Sequence, residues 1–462
     1  MAEREVRTVG RMSDLEALMW TLDKDPHLSS NFACLTMLDT MPDLDRLRDR
    51  LERATRLVPH LRCRVNPAVA RLAPPSWIED RSFAITHHVR AVALPKPGSR
   101  AQLLDLAATL AGDPFDRSRP LWEFVLVDGL DDGGAAMIWK LHHTISDGIG
   151  GVRMSEQFLD IERDAPPPPD LEPMPEPGPE PTFSDNAVAT VRHNVRRSAE
   201  SVEHITRAAW DATMHPSRWV RVGPDAVRMS RSVAKLTTSM RPFSPLWTER
   251  SLRHGFETVS VPFDDAKRAA TRLGGSLNDF FVAGVGSAVA RYHAARDAPI
   301  DFARMAMPVS TRSDRTAAGN SFAPLRLKLP LDVDPLTQFR LAHETLDTEK
   351  GDPMIGAVEG LSGLLNLLPT SVLVRVTRAQ AEAIDFATSN VRAAPFELFV
   401  AGAALQATYP IGPLAGSAFN LTLMSYHGRL DMGLHVDLAA IPDPAELRAL
   451  LDVCFQELID GE

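Results

Sequence analysis

Trp139-Lys140-Leu141-His142-His143-Thr144-Ile145-Ser146-Asp147-Gly148 closes an apolar run that begins at Ala135. The run reads as a strand that delivers two histidines to its end, followed by a short loop to an aspartate and a glycine. A strand holds its backbone rigid while a histidine at its tip faces a cleft. Near neutral pH, an imidazole accepts a proton from an alcohol as the alcohol attacks a carbonyl carbon. His143 is the candidate general base, and the nucleophile is then the substrate's own hydroxyl. Asp147 is placed to hold the loop in shape, by pairing with an arginine or bonding the loop amides. Gly148 admits a backbone approach that a side chain would block. A lone histidine at a strand end is ordinarily structural; the whole H-H-x-x-x-D-G string is what points to chemistry. A metal site would use His142, His143 and Asp147, but adjacent strand residues point to opposite faces and do not normally share one ion.

Outward from the motif, helix and strand signals alternate. Leu121 to Val127 and Ala135 to Leu141 read as two strands joined by a turn at Asp131-Asp132-Gly133-Gly134. Gly150 to Ile161 reads as a helix. Upstream, Leu44, Leu47, Leu51 and Val58 share one helical face, and Gln102 to Leu110 is a second helix. Ala165 to Pro181 is rich in proline and acid and predicts an extended linker. It divides the chain into an N-terminal lobe, 1–164, and a C-terminal lobe, 182–462. The second lobe opens with an amphipathic stretch whose Val188, Val191, Val195, Val202, Ile205 and Ala209 form one stripe. Ser276 and Asp279 are spaced as a capping pair for a helix to Tyr292. Phe419 to Tyr426 and Leu430 to Asp437 predict a hairpin, and a final helix starts near Pro444 with Leu447, Leu451, Cys454, Phe455 and Leu458 on one face. The expected fold class is α/β, two lobes packed face to face with the site between them.

Composition excludes several classes. Lys plus Arg is 50 against 60 for Asp plus Glu among 462 residues, so nucleic acid is not expected as a partner. Three cysteines, Cys34, Cys63 and Cys454, lie far apart, which suits reduced cytosolic thiols rather than a disulfide framework. The N-terminus lacks the apolar core of a signal peptide, and no run approaches the ~18–20 apolar residues of a membrane span. G-x-S-x-G, G-x-x-x-x-G-K-[ST] and G-x-G-x-x-G are all absent, so hydrolase, nucleotide-hydrolysis and dinucleotide readings lack support.

With these residues in place, the chain resembles the bacterial wax ester synthase/diacylglycerol acyltransferase family. That family belongs to the H-x-x-x-D acyltransferases, with chloramphenicol acetyltransferase and peptide-synthetase condensation domains. The resemblance rests on Arg11 to Ala17, on Asp116 to Glu123 with its Pro120-Leu121-Trp122, and on His142 to Gly148. It continues through Ser276-Leu277-Asn278-Asp279, Met307 to Arg312 with Gly319-Asn320, Tyr409 to Leu414, and Asn420 to Gly428. One block departs: Asn390-Val391-Arg392-Ala393-Ala394-Pro395 stands where the family tends to have N-V-x-G-P, which bears on the acceptor more than on the reaction.

The resemblance implies two chloramphenicol-acetyltransferase-like lobes with mixed sheets and an inter-lobe active-site cleft. It implies an O-acyltransferase that moves a long-chain acyl group from acyl-CoA to a lipid hydroxyl, making triacylglycerol or wax ester. The catalytic residues would be His142, His143, Asp147 and Gly148, and Asn278, Asp279, Pro120 and Trp122 would contact substrate. Asn278 or a backbone amide would donate to the oxyanion. Each has a plainer reading: Asn278 and Asp279 as helix caps, Trp122 as a buried strand residue. Arg312 and Arg62 compete as the partner of Asp147. No cofactor is expected beyond acyl-CoA as substrate. Two rivals remain at this point, a non-catalytic lipid-binding homologue and a condensation-type enzyme using a carrier-protein thioester. The expected location is cytoplasmic, with peripheral contact to the inner face of the membrane or to lipid droplets. Met354 to Val374, followed by Arg375 and Arg378, reads either as an ordinary core helix or as an interfacial element.

Overall fold

The apolar run before the histidines is a strand, β7 (Ala135–His142), and its neighbours fix everything near it. The computed structural model describes residues 8–146, 151, 154–169, 171–172, 174, 177–197, 241–310, 322–349, 365–366 and 368–461. β7 pairs antiparallel with β6 (Trp122–Asp128), Trp122 opposite Leu141, across the expected Asp131–Gly134 turn. Its other edge pairs antiparallel with β2 (Asn31–Leu38), Asn31 opposite His142. Helices cover both faces. α2 (Leu44–Leu57) begins at Asp43, whose carboxylate accepts from the amides of Asp45 and Arg46. Its Leu47, Leu51 and Ala54 pack on the face of Ala135, Met137 and Leu141. α3 (Arg100–Gly112), capped by a Ser99–Gln102 box, packs Leu103 and Ala107 on the face of Ala136 and Ile138. Each such cap is worth about 1 kcal/mol.

The sheet around β7 draws strands from both sides of the 165–181 stretch. Its strand order is β5-β6-β7-β2-β14-β13-β8, with β5 (Val89–Ala93), β14 (Ala403–Ile411), β13 (Phe399–Val400) and β8 (Leu159–Asp160). β14 and β13 come from far beyond the linker. The physical reason is the free edge of β2: its buried backbone needs a second hydrogen-bonding partner, and the returning chain supplies it. The helix expected over Gly150 to Ile161 is corrected. Gly151, Met154 and Ser155 are helical, but Leu159–Asp160 is strand, with Asp160 opposite Phe399.

The described residues just after β8 are strapped to α2. Arg46 and Arg50 both bond Asp160, at 3.0 and 2.8 Å. Arg46 also donates to the carbonyl of Ala165, Arg50 to that of Pro166 and Arg53 to that of Pro169. Prolines cannot donate, so their carbonyls need outside donors, and arginines spaced along one helix face provide them.

The second mixed sheet runs β11-β10-β12-β15-β16-β9: β11 (Phe322–Pro330), β10 (Phe302–Ser310), β12 (Phe386–Arg392), β15 (Phe419–Tyr426), β16 (Arg429–Asp437) and β9 (His254–Pro262). The predicted hairpin is β15–β16, turning at His427-Gly428 with both φ angles positive, 41° and 78°. One face is buried by α5 (Phe263–Arg272), α6 (Leu277–Ala294), α7 (Pro335–Glu349) and α9 (Pro444–Asp460). Phe386 and Phe419 stack there at 5.0 Å, and Leu447, Leu451, Cys454, Phe455 and Leu458 are all buried as expected. β14 lies on the opposite face. Asp431 accepts from the Thr408 amide at 3.1 Å and from Ser260 Oγ at 2.7 Å. A second bridge joins the lobes where α8 (Thr370–Ala381) meets α1 (Asp14–Leu22) and the turn after it, with Arg378 3.3 Å from Asp25.

Gly433 is a close approach between the lobes. A Cβ there would sit 1.8 Å from the Pro410 carbonyl oxygen, a backbone atom that cannot swing away. Gly433→Ala is expected to cost about 1–3 kcal/mol or more, the usual range for overpacking. Gly133→Ala, in open space and strained only by its φ of 78°, should cost less. Thermal unfolding of both variants checks the ranking, and an equal or smaller loss at Gly433 contradicts this account of the lobe contact.

Candidate active site

β7 ends by sending its two histidines in opposite directions. His142 turns to the side of α1 and is 1% exposed. Its Nδ1 accepts from the Thr144 amide at 3.1 Å and lies 2.7 Å from Thr144 Oγ1. A nitrogen that accepts carries no proton, so the ring's hydrogen sits on Nε2. Nε2 faces Asp23 Oδ1 at 3.7 Å. Asp23 also meets Arg117 at 2.9 Å and accepts from the Ser30 amide. Burial alone would raise the Asp23 carboxyl, but His142, and then Arg117, hold it below the ordinary value. Arg117 in turn lies over the Trp20 ring at 3.9 Å and donates to the Trp20 carbonyl.

His143 turns the other way, against Phe32, with 4.6 Å between ring centroids. Its amide donates to the Ser30 carbonyl at 3.1 Å, which ties the motif to the start of β2. The residue is half-buried, unlike His142. Burial first, and the neighbouring His142 second, push its pKa down to about 3, against a hydrogen bond to the Ser146 backbone that acts the other way. The ring is therefore neutral throughout the physiological range and ready to accept a proton.

The other sequence candidates fall in different places. Asp147, Gly148 and Arg312 lie outside the described residues. Arg62 is engaged with Glu52 at 2.8 Å and lies over the Phe83 ring. Trp122 is fully buried: its indole N–H donates to the Leu61 carbonyl at 2.7 Å and its ring stacks on His88. Pro120 is buried beside it. Both side chains are taken up in the core of the N-terminal sheet. Asp279 is also committed, to the Ser276 amide and hydroxyl at the start of α6 and to His343 Nδ1 at 3.0 Å. Asn278 is half-buried, with its amide nitrogen 3.8 Å from Met307 Sδ. The departing block from Asn390 to Pro395 closes β12, and its Ala393 packs on the N-lobe core. It is the point where the chain leaves one sheet for the other.

Sequence reasoning missed Asp23, Ser30, Phe32, Arg117 and Thr144. Arg117 stood inside a block already singled out, but its Pro-Leu-Trp drew the attention. Asp23 follows α1 with nothing in the local pattern to connect it to a histidine far along the chain. On the second lobe, His435 Nδ1 donates to the Gly412 carbonyl at 2.8 Å, and its Nε2 lies 3.1 Å from His254 Nδ1. Burial pushes His435 down to about 3 and His88 down to about 4.

Two lobes of mixed sheet, the first completed by strands from the C-terminal part of the chain, make a chloramphenicol-acetyltransferase-like fold. The chain belongs to the wax ester synthase/diacylglycerol acyltransferase family: the model of that family's catalytic domain matches residues 12–281, and that of its C-terminal domain matches 318–459. A Mycobacterium tuberculosis (strain H37Rv) protein provisionally named a diacylglycerol O-acyltransferase is 32% identical over 460 residues, covering 97% of this chain and 92% of its own. A second protein of that strain, named in the same way, is 27% identical over 486 residues and 97% of each chain. Among solved structures, the wax ester synthase/diacylglycerol acyltransferase from Marinobacter aquaeolei VT8 shares the fold at a TM-score of 0.64 and 20% identity, over 98% of this chain and 99% of that one. A starter condensation domain of rhizomide synthetase, a mutant in complex with C8-CoA and Leu-SNAC, shares it at 0.55 and 12% identity, over 97% and 93%.

The buried histidines set a pH dependence of stability. His88, His143 and His435 have folded values of about 4, 3 and 3 against an ordinary 6.5. Between those values the unfolded chain binds protons that the folded chain refuses, so stability falls as pH drops from about 6.5 toward 4. Urea unfolding midpoints at steps across that window should decline steadily. A flat profile rules out neutral, buried imidazoles at these three positions.

Proposed function

We propose that His143 is the general base with which this protein moves a long-chain acyl group from acyl-CoA to the hydroxyl of a diacylglycerol or fatty alcohol. One observation carries the assignment: of the two histidines, only His143 keeps exposed surface, while His142 is sealed in and bonded. In the reaction, the hydroxyl oxygen attacks the thioester carbonyl carbon as the His143 imidazole takes its proton. The tetrahedral oxyanion then collapses, the carbon–sulfur bond breaks, and the imidazolium returns the proton to the departing thiolate. An ester and free CoA result, with no net proton change. Phe32 and the buried surroundings of His143 support water exclusion, which matters because water would hydrolyse the thioester.

His143→Ala should lower ester formation by about 10²–10⁴-fold while the protein remains folded. Free CoA and ester product are scored together, so that hydrolysis is told apart from transfer. Because the base is already neutral well below pH 6.5, the wild-type kcat/KM should show no acid limb at 6.5 and stay level down to about pH 5. Near-normal turnover by folded His143→Ala sinks the assignment.

The substrates reach the protein from a lipid surface that it touches peripherally. Among the described residues no helix is long and apolar enough to cross a membrane. The element with an interfacial reading, Met354 to Val374, lies mostly outside the described residues. Support comes from its continuation and from a second helix. On α8, Val372 and Val376 are exposed beside Arg375. On α4 (residues 183–197), Val188, Val191 and Val195 are 58%, 63% and 64% exposed beside Arg192 and Arg196. An apolar stripe bordered by arginines suits an anionic interface. Wild-type protein should float with anionic vesicles, and Val191→Glu with Val195→Glu should float less. Equal flotation of both, or of neither, removes α4 from the interface.

A further inference from the structure

The motif's first histidine has a carboxylate of its own. Asp23, three bonds of chain beyond the end of α1's last turn, is gripped on one side by Arg117 at 2.9 Å and faces His142 Nε2 on the other at 3.7 Å. The same Asp23 carboxylate accepts from the Ser30 amide at 3.3 Å, and the Ser30 carbonyl accepts the His143 amide at 3.1 Å. Two routes thus lead from one side chain to the working histidine: through His142, its chain neighbour, and through Ser30, which ties the His143 backbone to β2.

We infer that Asp23 is a positioning residue for His143: with Arg117 it selects the His142 tautomer whose hydrogen is on Nε2, and that tautomer alone lets Nδ1 accept the Thr144 amide and close the turn that holds His143. The inference rests on His143 being the base. Its logic is a matter of donors and acceptors. The Thr144 amide is fixed as a donor by the turn, so His142 Nδ1 must accept. The ring hydrogen is then forced onto Nε2, inside a site with 1% exposure, where an unmet N–H is costly. A carboxylate is the acceptor that meets it without supplying a competing donor. An amide at position 23 has nearly the same shape but offers hydrogens as well. Either way Arg117 loses its anion, and turned one way the amide also sets its own N–H against the guanidinium. Turned the other it sets N–H against N–H, and the ring is driven to the opposite tautomer, whose Nδ1–H donates to Thr144 Oγ1 and leaves the Thr144 amide without its acceptor. The turn, left with only the Ile145 amide on the His142 carbonyl, loosens, and His143 loses its fixed place. The distance of 3.7 Å is beyond a formed hydrogen bond, so the contact is mainly ion to dipole until the site tightens around substrate.

The test compares wild type, His143→Ala, Asp23→Asn and Arg117→Met, each checked by circular dichroism and melting. Turnover is measured with acyl-CoA and diacylglycerol, and nitrogen NMR of histidine-labelled protein reads the His142 tautomer. Asp23→Asn should lower kcat about 10–100-fold, the order found for partners one step removed from a functional side chain, with KM nearly unchanged. The His142 signal should switch tautomer at the same time. A space-filling role for Asp23 predicts neither, because asparagine fills the same space. Arg117→Met, which leaves the carboxylate but frees it to turn, should show a smaller loss of kcat and decides the matter if Asp23→Asn does not fold. Full kcat in Asp23→Asn, or in Arg117→Met where Asp23→Asn does not fold, overturns the inference, as does a lost kcat with the tautomer unchanged. Activity in folded His143→Ala overturns the base assignment instead, which the Asp23 variant by itself cannot do.

Discussion

The pairing of β14 with β2 decides where His143 stands. β2 gives one edge to β7, with Asn31 opposite His142, and the other to β14. β14 in turn presses on the second sheet through Pro410 and Gly433 and brings the Gly412 carbonyl to His435. The motif is therefore located against the second lobe by hydrogen-bond register rather than by a flexible loop. Register has a further effect here. A slip of one residue between β7 and its neighbours would turn every side chain to the other face. His142 would then meet Phe32, and His143 would be sealed in beside Asp23. Adjacent histidines make the site sensitive to an error of one residue, and buried partners on both edges of β7 prevent that error.

Burial shapes what kind of base His143 can be in the role proposed for it. An imidazole pushed down to about 3 is permanently unprotonated at neutral pH, but it is a weak acceptor. For such a group, the gain in rate comes from holding the reacting atoms in place, which needs a rigid backbone and a fixed ring. The Ser30–His143 and Thr144–His142 bonds and the contact with Phe32 supply that rigidity. Neutral rings elsewhere in the interior follow the same rule of meeting each N–H: His435 with the Gly412 carbonyl, His88 with that of Trp122.

Local features were legible in the sequence because their causes are local. The β6–β7 hairpin, α2, α3, the Ser276–Asp279 box, the β15–β16 turn and the buried face of α9 each follow from spacing, capping or turn chemistry within a short window. The motif was legible for the same reason, and strand alternation alone separated His142 from His143. What sequence could not give were pairings between distant segments. Nothing near Ala403 marks it as a partner of β2, since an apolar strand fits any buried edge. The strap was visible as proline and acid, but not its seat on Arg46, Arg50 and Arg53, which read as an ordinary solvated face. An aromatic residue such as Trp122 suits both binding and burial, and its bond to the Leu61 carbonyl could not be read from the sequence. Asp23 was hidden for a simpler reason: its partners, Arg117 and His142, approach it only after α1 has packed.

The exchanged strand also sets a timetable for synthesis. As the chain leaves the ribosome, β2, β6 and β7 emerge early, with their helices, and can pair at once. The outer edge of β2 stays bare until β14 has been made, after most of the second sheet has already appeared. Through that interval the nascent N-terminal half displays a row of unmet backbone groups flanked by Ala33 and Leu35, a template for any strand of matching character. The N-terminal half depends on the C-terminal part of the chain to complete its sheet, and a chain that ends between β7 and β14 keeps that edge open to other strands.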